Sequence, residues 1–227
     1  MSALFENYSD RYGAVVQSSI DFSGLPHDFF MAAKADLLRE LVAAHVRTES
    51  PSLLDVGCGV GALHPFVRGI FGSVSGADVS SASIAQARSR NPGMDYRAYD
   101  GGRLPYESAS FDVATAVCVM HHVASQDWPA FAAEMRRVVR PGGLVCVIEH
   151  NPFNPLTRLA VSRCEFDHDA VLLRASTTRS LLQNAGFNEV ASRYFLLLPS
   201  ATAFARRCER AFGRLALGAQ YAAWGLG

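Results

Sequence analysis

The stretch Leu53–His64, "LLDVGCGVGALH", constrains this chain more than any other. An apolar run ends in an aspartate, and Gly57, Gly59 and Gly61 follow at alternate positions. Glycines there supply the positive φ and the close backbone approach that a tight turn needs. Such a turn, between a buried strand and a helix, marks an open α/β sheet that binds a ligand at its strand ends.

The following segments alternate as that fold requires. "SVSGADVS", "MDYRAYD", "FDVATAVCV" and "GLVCVIEH" read as strands, the third apolar enough to be buried on both faces. "GALHPFVRGI", "SASIAQARSR" and "DWPAFAAEMRRVV" read as helices, and "RPGG" stops the last. A helix is expected before them, over His27–Arg47, from the spacing of Phe30, Leu37, Leu38, Leu41 and Val42. Residues 1–26 are polar and aromatic, with a turn at "SGLP". After His150, "NPFNPLTR" reads as a loop and "STTRSLLQNAGF" as a capped helix ending at Gly186. "NEVASRYFLLL" and "AQYAAWGL" read as two more strands, with a helical "ATAFARRCERAFGRLAL" between them. The pattern predicts an α/β fold, a mostly parallel sheet with helices on both faces.

Length and composition suit one domain of 227 residues, 49% of them hydrophobic. It divides into an N-terminal lid and helix (1–48), a cofactor-binding half (49–150) and a substrate-side segment (151–227). The 21 basic residues balance 21 acidic ones, which argues against a nucleic-acid partner. Lys34 is the only lysine; with the abundant alanine, the arginine bias suggests a GC-rich bacterial genome. The five cysteines form no CxxC pair, and the chain shows neither a signal peptide nor an apolar run of roughly 20 residues. A cytoplasmic protein with reduced thiols is expected.

The glycines alone leave the ligand open. Gly57, Gly59 and Ala62 satisfy the dinucleotide fingerprint, with Asp78 at the distance expected for a ribose contact. Asp55 separates the readings, because a carboxylate beside that turn opposes a pyrophosphate and suits an ammonium or sulfonium. S-adenosylmethionine carries both, with a ribose for Asp78 and an adenine for Asp100.

With "VSGADVSSASIAQAR", "YDGGRLPYESASFDVATAVCVMHHV", "EMRRVVRPGGLVCVIE" and "LLQNAGF" added in order, the chain closely resembles the class I S-adenosylmethionine-dependent methyltransferases of small molecules. The resemblance runs from Leu53 to Phe187. It implies a Rossmann-like, seven-stranded sheet with an antiparallel C-terminal strand. It also implies that Gly57, Gly59 and Gly61 form the turn under the methionine part. Asp78, followed by Val79, holds the ribose; Asp100, with the Gly101 amide, faces adenine; and Val117 lines the cofactor through its backbone. Lys34 is the candidate partner of the methionine carboxylate. The rival for Lys34 is a solvated helix residue, and for the aspartates it is helix capping.

Methyl transfer from a sulfonium needs a base only when the acceptor must lose a proton. "MHHV" places His121 and His122 after the fourth strand, and "IEHN" places Glu149 and His150 after the fifth. His150, His122 and His121 are the candidate bases, and oxygen is the expected acceptor. In relatives the second histidine of such a pair is often structural. Tyr8 and Tyr12 belong to the expected lid. No metal is expected: Cys164, Asp167, His168 and Asp169 in "CEFDHD" read as a solvated loop. "NPFN" resembles the tetrapeptide of base-modifying methyltransferases but follows the wrong strand, so it is read as a pocket wall with Phe153. The tail helix, 201–217, is read as a cover for the sheet edge with its arginines solvated; contact with anionic lipid is the minority reading. The competing functions are a nicotinamide-dependent oxidoreductase and a catalytically inactive cofactor-binding subunit.

Overall fold

The computed structural model describes residues 11–200 and 202–227. Helices α1 (Tyr12–Ile20) and α2 (His27–His45) precede the first strand. Then β1 (Ser52–Val56), α3 (His64–Val67), β2 (Ser73–Asp78), α4 (Ser81–Arg90), β3 (Asp95–Ala98) and β4 (Phe111–Val117) follow. Next come α5 (Trp128–Val138), β5 (Val139–His150), α6 (Pro155–Arg163) and α7 (Ala175–Asn184). The last elements are β6 (Asn188–Phe195), α8 (Ala203–Phe212) and β7 (Gln220–Leu226).

All seven strands join one sheet in the order β3-β2-β1-β4-β5-β7-β6. β1 to β5 run parallel, and β7 runs antiparallel between β5 and β6. Side chains alternate across the strands and divide the core in two. Leu54, Val56, Ala114, Val145 and Val147 pack with Met135 of α5 and Leu182 of α7. Leu53, Val113, Leu144, Cys146 and Ile148 pack with Leu38 and Leu41 of α2 on the other face. Strand order reverses between β1 and β4, which is where open α/β sheets leave a crevice.

The expected elements are present, with four differences. "NPFNPLTR" is only half a loop: Pro155 starts α6, and Asn154 Oδ1 accepts from the Leu156 and Thr157 amides at 3.0 Å. Proline at the first helical position behind an asparagine cap is a start signal, which outweighs its reading as punctuation. The helix before "RPGG" ends at Val138 as expected, but "RPGG" itself lies inside β5, which begins at Val139 and pairs with Phe111 before a register shift. "GALHPFVRGI" yields only the short α3. Residues 12–20 form a helix where none was expected; it lays Tyr12 flat on Phe166, with ring centroids 5.5 Å apart. Tyr8 lies outside the described residues.

Candidate active site

A cavity of about 1430 Å³ opens at the carboxyl ends of β1, β2, β4 and β5. That exceeds the usual few hundred to a thousand Å³ of a single-ligand pocket. Its walls bring together Lys34, Asp55, Gly57, Gly59, Asp78, Val79, Asp100, Gly101, Val117, His121, His122 and His150, twelve of the thirteen residues expected there. Gly61 is the exception. A side chain on Gly61 would strike Asn91 and Tyr96 rather than the cavity, so this glycine serves packing of the turn.

The turn after β1 is built from its backbone outward. The Gly57 and Cys58 amides donate to Ala77 O at 2.7 and 3.1 Å, tying the turn to β2. Gly57 has φ +74°, and a Cβ there would press on Val119 at 2.5 Å. Gly59 has φ +52°, and a Cβ there would meet nothing within 4 Å. One glycine is required by its neighbours, the other by conformation and by the space it leaves.

Charged groups at the cavity floor are buried and incompletely matched. Asp55 is 3% exposed; its Oδ2 meets His64 Nε2 at 3.0 Å, and His64 Nδ1 meets the Tyr96 hydroxyl at 2.5 Å. Asp55 Oδ1 is buried with no hydrogen-bond partner among the described residues. Lys34, expected either in the site or in solvent, is 5% exposed. Its Nζ lies 3.9 Å from Cys118 Sγ and forms no ion pair among the described residues. A buried polar or charged group without its full set of partners is costly, so Asp55 Oδ1 and Lys34 Nζ both suit a ligand group of opposite sign.

The second and third strand ends differ from each other. Asp78 is buried and accepts from the Gly59 amide at 2.8 Å and the Ser80 amide at 2.9 Å. Burial raises its pKa, against the pull of those amides. Asp100 is exposed, and its Oδ1 accepts from the Gly102 amide at 2.9 Å. Gly101, with φ +90°, faces the Val79 side chain. Leu104 N donates to Glu134 Oε2 at 2.8 Å, and Arg137 donates to the Leu104 and Tyr106 carbonyls, which clamps the next turn onto α5.

The other end of the cavity is a histidine cluster. His121 Nδ1 meets Glu149 Oε2 at 2.6 Å, and Glu149 Oε1 accepts from the Val119 and Met120 amides at 3.0 and 2.7 Å. Asp167 Oδ1 lies 3.6 Å from His121 Nε2 and 3.2 Å from His122 Nε2. Burial opposes charge on His121, but the two carboxylates prevail and raise its pKa to about 10. It is thus the first histidine of the pair that is locked in place. His150 stands beside it, with ring centroids 5.1 Å apart; burial, and then the charge of His121, lower its pKa to about 4. His122 is also lowered, by burial first. One ligand atom each of His121, His150 and Asp167 falls within 4.8 Å of the others.

Asp167 corrects the reading of "CEFDHD". Cys164, Phe166 and Asp167 are buried, while His168 and Asp169 are exposed. The loop is held down by α1, through Tyr12 on Phe166 and Val15 in the same apolar cluster. Gln220, which no sequence pattern marks, also lines the cavity wall; from β7 its Nε2 donates to Cys118 Sγ at 3.4 Å.

Residues 54–147 match the family model of the methyltransferase domain. The chain is 32% identical over 170 residues to a ubiquinone biosynthesis O-methyltransferase of Sinorhizobium medicae, covering 69% of this chain and 68% of that one. It is 31% identical to phthiotriol/phenolphthiotriol dimycocerosates methyltransferase 1 of Mycobacterium ulcerans, over 76% of this chain and 64% of the relative. It is 35% identical to a ubiquinone biosynthesis O-methyltransferase of Agrobacterium fabrum, over 54% of this chain and 50% of that one. In fold, the chain is similar to an S-adenosylmethionine-dependent methyltransferase of Thermotoga maritima, described as a possible histamine N-methyltransferase. That likeness has a TM-score of 0.66 at 20% identity, over 100% of this chain and 99% of the other. The nicotinamide reading therefore falls. The chain belongs to the class I S-adenosylmethionine-dependent methyltransferases, and S-adenosylmethionine is its cofactor.

Proposed function

We propose that this enzyme methylates a hydroxyl oxygen of a small molecule. The observation that carries the cofactor's placement is the pair of unmatched buried charges, Asp55 Oδ1 and Lys34 Nζ. In this reading Asp55 receives the methionine ammonium and Lys34 its carboxylate, over the space left by Gly59. Asp78 keeps lone pairs free for the ribose hydroxyls beyond those its two amide donors use. Val79 and Gly101 flank the adenine, and the exposed Asp100 receives its amino group. The Val117 backbone closes the wall between the two ends.

S-adenosylmethionine supplies a methyl group already activated by its sulfonium, so the protein's task is to position and desolvate. The histidine cluster supports an oxygen acceptor. His150 is unprotonated near neutral pH, because its pKa is lowered to about 4. It takes the hydroxyl proton as the oxygen–methyl bond forms and the sulfur–methyl bond breaks, the bonding pair returning to sulfur. His122 borders the same space and is the next candidate base. His121 acts through its neighbours, fixing the 119–122 turn by way of Glu149. The O-methyltransferase name of the Sinorhizobium relative points to the same acceptor atom.

Turnover of methyl-labelled cofactor, with a panel of phenols, amines and activated-methylene compounds, tests the proposal. Transfer to phenols alone is the expected result. Transfer to amines or carbon alone overturns the oxygen reading. No transfer to any acceptor, with cofactor binding intact, would favour the inactive partner subunit.

A further inference from the structure

The large apolar side chains left exposed among the described residues are unevenly placed: none lies between residues 27 and 152. Six of them lie on two segments that the fold brings together. Phe153 and Leu156 sit at the start of α6; Phe204 and Phe212 lie on α8; Leu215 and Leu217 follow it. Each is about half exposed or more, up to 71% for Phe204. Hydrogen bonds join the two groups. Asn154 Nδ2 donates to Leu217 O at 2.8 Å, and Asn151 Nδ2 donates to Ala216 O and Gly218 O. The helix α8 does not bury its phenylalanines against the sheet as expected. It packs through Ala205 and Gly213, and Glu209 accepts from the Leu197 amide at 3.1 Å.

Charge is divided in the same way. Residues 1–150 hold 12 basic and 16 acidic groups, whereas 151–227 hold nine and five, so a neutral chain carries +4 at its C-terminal end. Arg158, Arg207 and Arg214 are exposed beside the apolar residues. Leu156, Leu197, Leu198 and Pro199 line the cavity. No helix among the described residues is long and apolar enough to cross a membrane.

We infer that this face docks on an anionic lipid surface, with the mouth of the cavity turned towards the bilayer. Exposed aromatic and aliphatic groups enter the interface, and the flanking arginines meet the lipid phosphates. A patch of this kind is more than scattered surface apolarity, and the arginines select a bilayer over an uncharged partner. The inference does not depend on which atom is methylated.

Co-sedimentation with phosphatidylcholine vesicles, with and without phosphatidylglycerol, tests it on the full chain. Binding should require phosphatidylglycerol and fall with salt. Arg207→Gln with Arg214→Gln should weaken it about 30-fold, at ~1 kcal/mol for each arginine. Phe204→Ser with Phe212→Ser should weaken it at least ~10-fold. Both substitutions are at exposed sites, and unchanged S-adenosylhomocysteine binding shows that the fold persists. Absence of wild-type binding overturns the inference, as does equal binding to neutral vesicles. A dimer that dissolves in the phenylalanine variant, without lipid binding, assigns the face to a second copy and overturns it too.

Discussion

The two ends of the cavity are held in different ways. At the proposed cofactor end, Asp78 and Asp100 end or follow strands of the parallel sheet and their neighbours are backbone amides a few residues away or one strand over, whereas Asp55 meets His64 and Lys34 reaches in from α2. Asp78 touches the Gly59 and Ser80 amides, and the turn at Gly57 is bonded to Ala77. At the acceptor end, side chains hold side chains across long sequence distances. His121 depends on Glu149, both histidines of the pair depend on Asp167, and Asp167 depends on α1 through Phe166. The first arrangement is stiff and indifferent to the substrate. The second is assembled from loops and can vary without disturbing the sheet, which is where specificity in α/β enzymes resides.

The largest expected effect breaks the acceptor end alone. His150→Gln should lower kcat roughly 10²- to 10⁴-fold, the usual contribution of a positioned base, with the Kd of S-adenosylhomocysteine unchanged by calorimetry. A parallel loss of cofactor affinity would show that the two ends are one unit. The next variant does the reverse. Lys34→Met removes a buried cation and should weaken S-adenosylhomocysteine by about 2 kcal/mol, near 30-fold, if it pairs the methionine carboxylate. Because the cation is unpaired without ligand, the same variant should raise the melting temperature of the free protein. A lysine that merely packs would give unchanged affinity.

How far the sequence reveals each end follows from the same contrast. The cofactor end is written in short segments: a strand, a turn, a strand-terminal aspartate, each fixed by local geometry. Hence Asp55, Asp78, Gly57 and Gly59 are legible from spacing and residue type. Gly61 shows the limit, since the pattern that marks it as a site residue is also produced by a turn that must clear Tyr96. Asp167 was illegible for another reason. Its segment carries charges and no periodicity, and only the packing of a helix some 150 residues earlier takes Cys164, Phe166 and Asp167 out of water. The helix at Pro155 was legible in principle, because asparagine before proline is a cap, but two prolines close together suggest a loop just as strongly. The exposed phenylalanines of α8 obey helical periodicity without being buried, so periodicity alone does not say what a face is for.

A gentler perturbation asks whether the cap over the acceptor end is a separate layer. Tyr12→Ala removes a ring stacked on Phe166 at an interplanar angle of 5°. Stacked pairs contribute roughly 0.5–1.5 kcal/mol beyond area, so the 164–170 loop should loosen. KM for the acceptor should rise about three- to tenfold, with little change in kcat or in cofactor affinity. If cofactor affinity falls as well, α1 covers both ends and the contrast drawn above is too sharp.

The smallest effect belongs to the cofactor end and is read through pH. Glu134 holds the turn after β3 by accepting from Leu104 N, and its hydrogen bonds with Arg137 keep its pKa below the ordinary 4.5. A carboxyl lowered in the folded state stabilises that state above its unfolded pKa and loses this contribution as pH falls through the folded value. The stability lost in Glu134→Gln should therefore be largest at neutral pH, below about 1 kcal/mol for a partly exposed pair. It should shrink once the pH drops beneath 4.5 in denaturant titrations at several pH values. A difference that stays constant with pH would mean that the neutral amide fails through shape, not charge. The clamp on the turn after β3 would then be a packing device like the one at Phe166, and the two ends would differ less in kind than in distance along the chain.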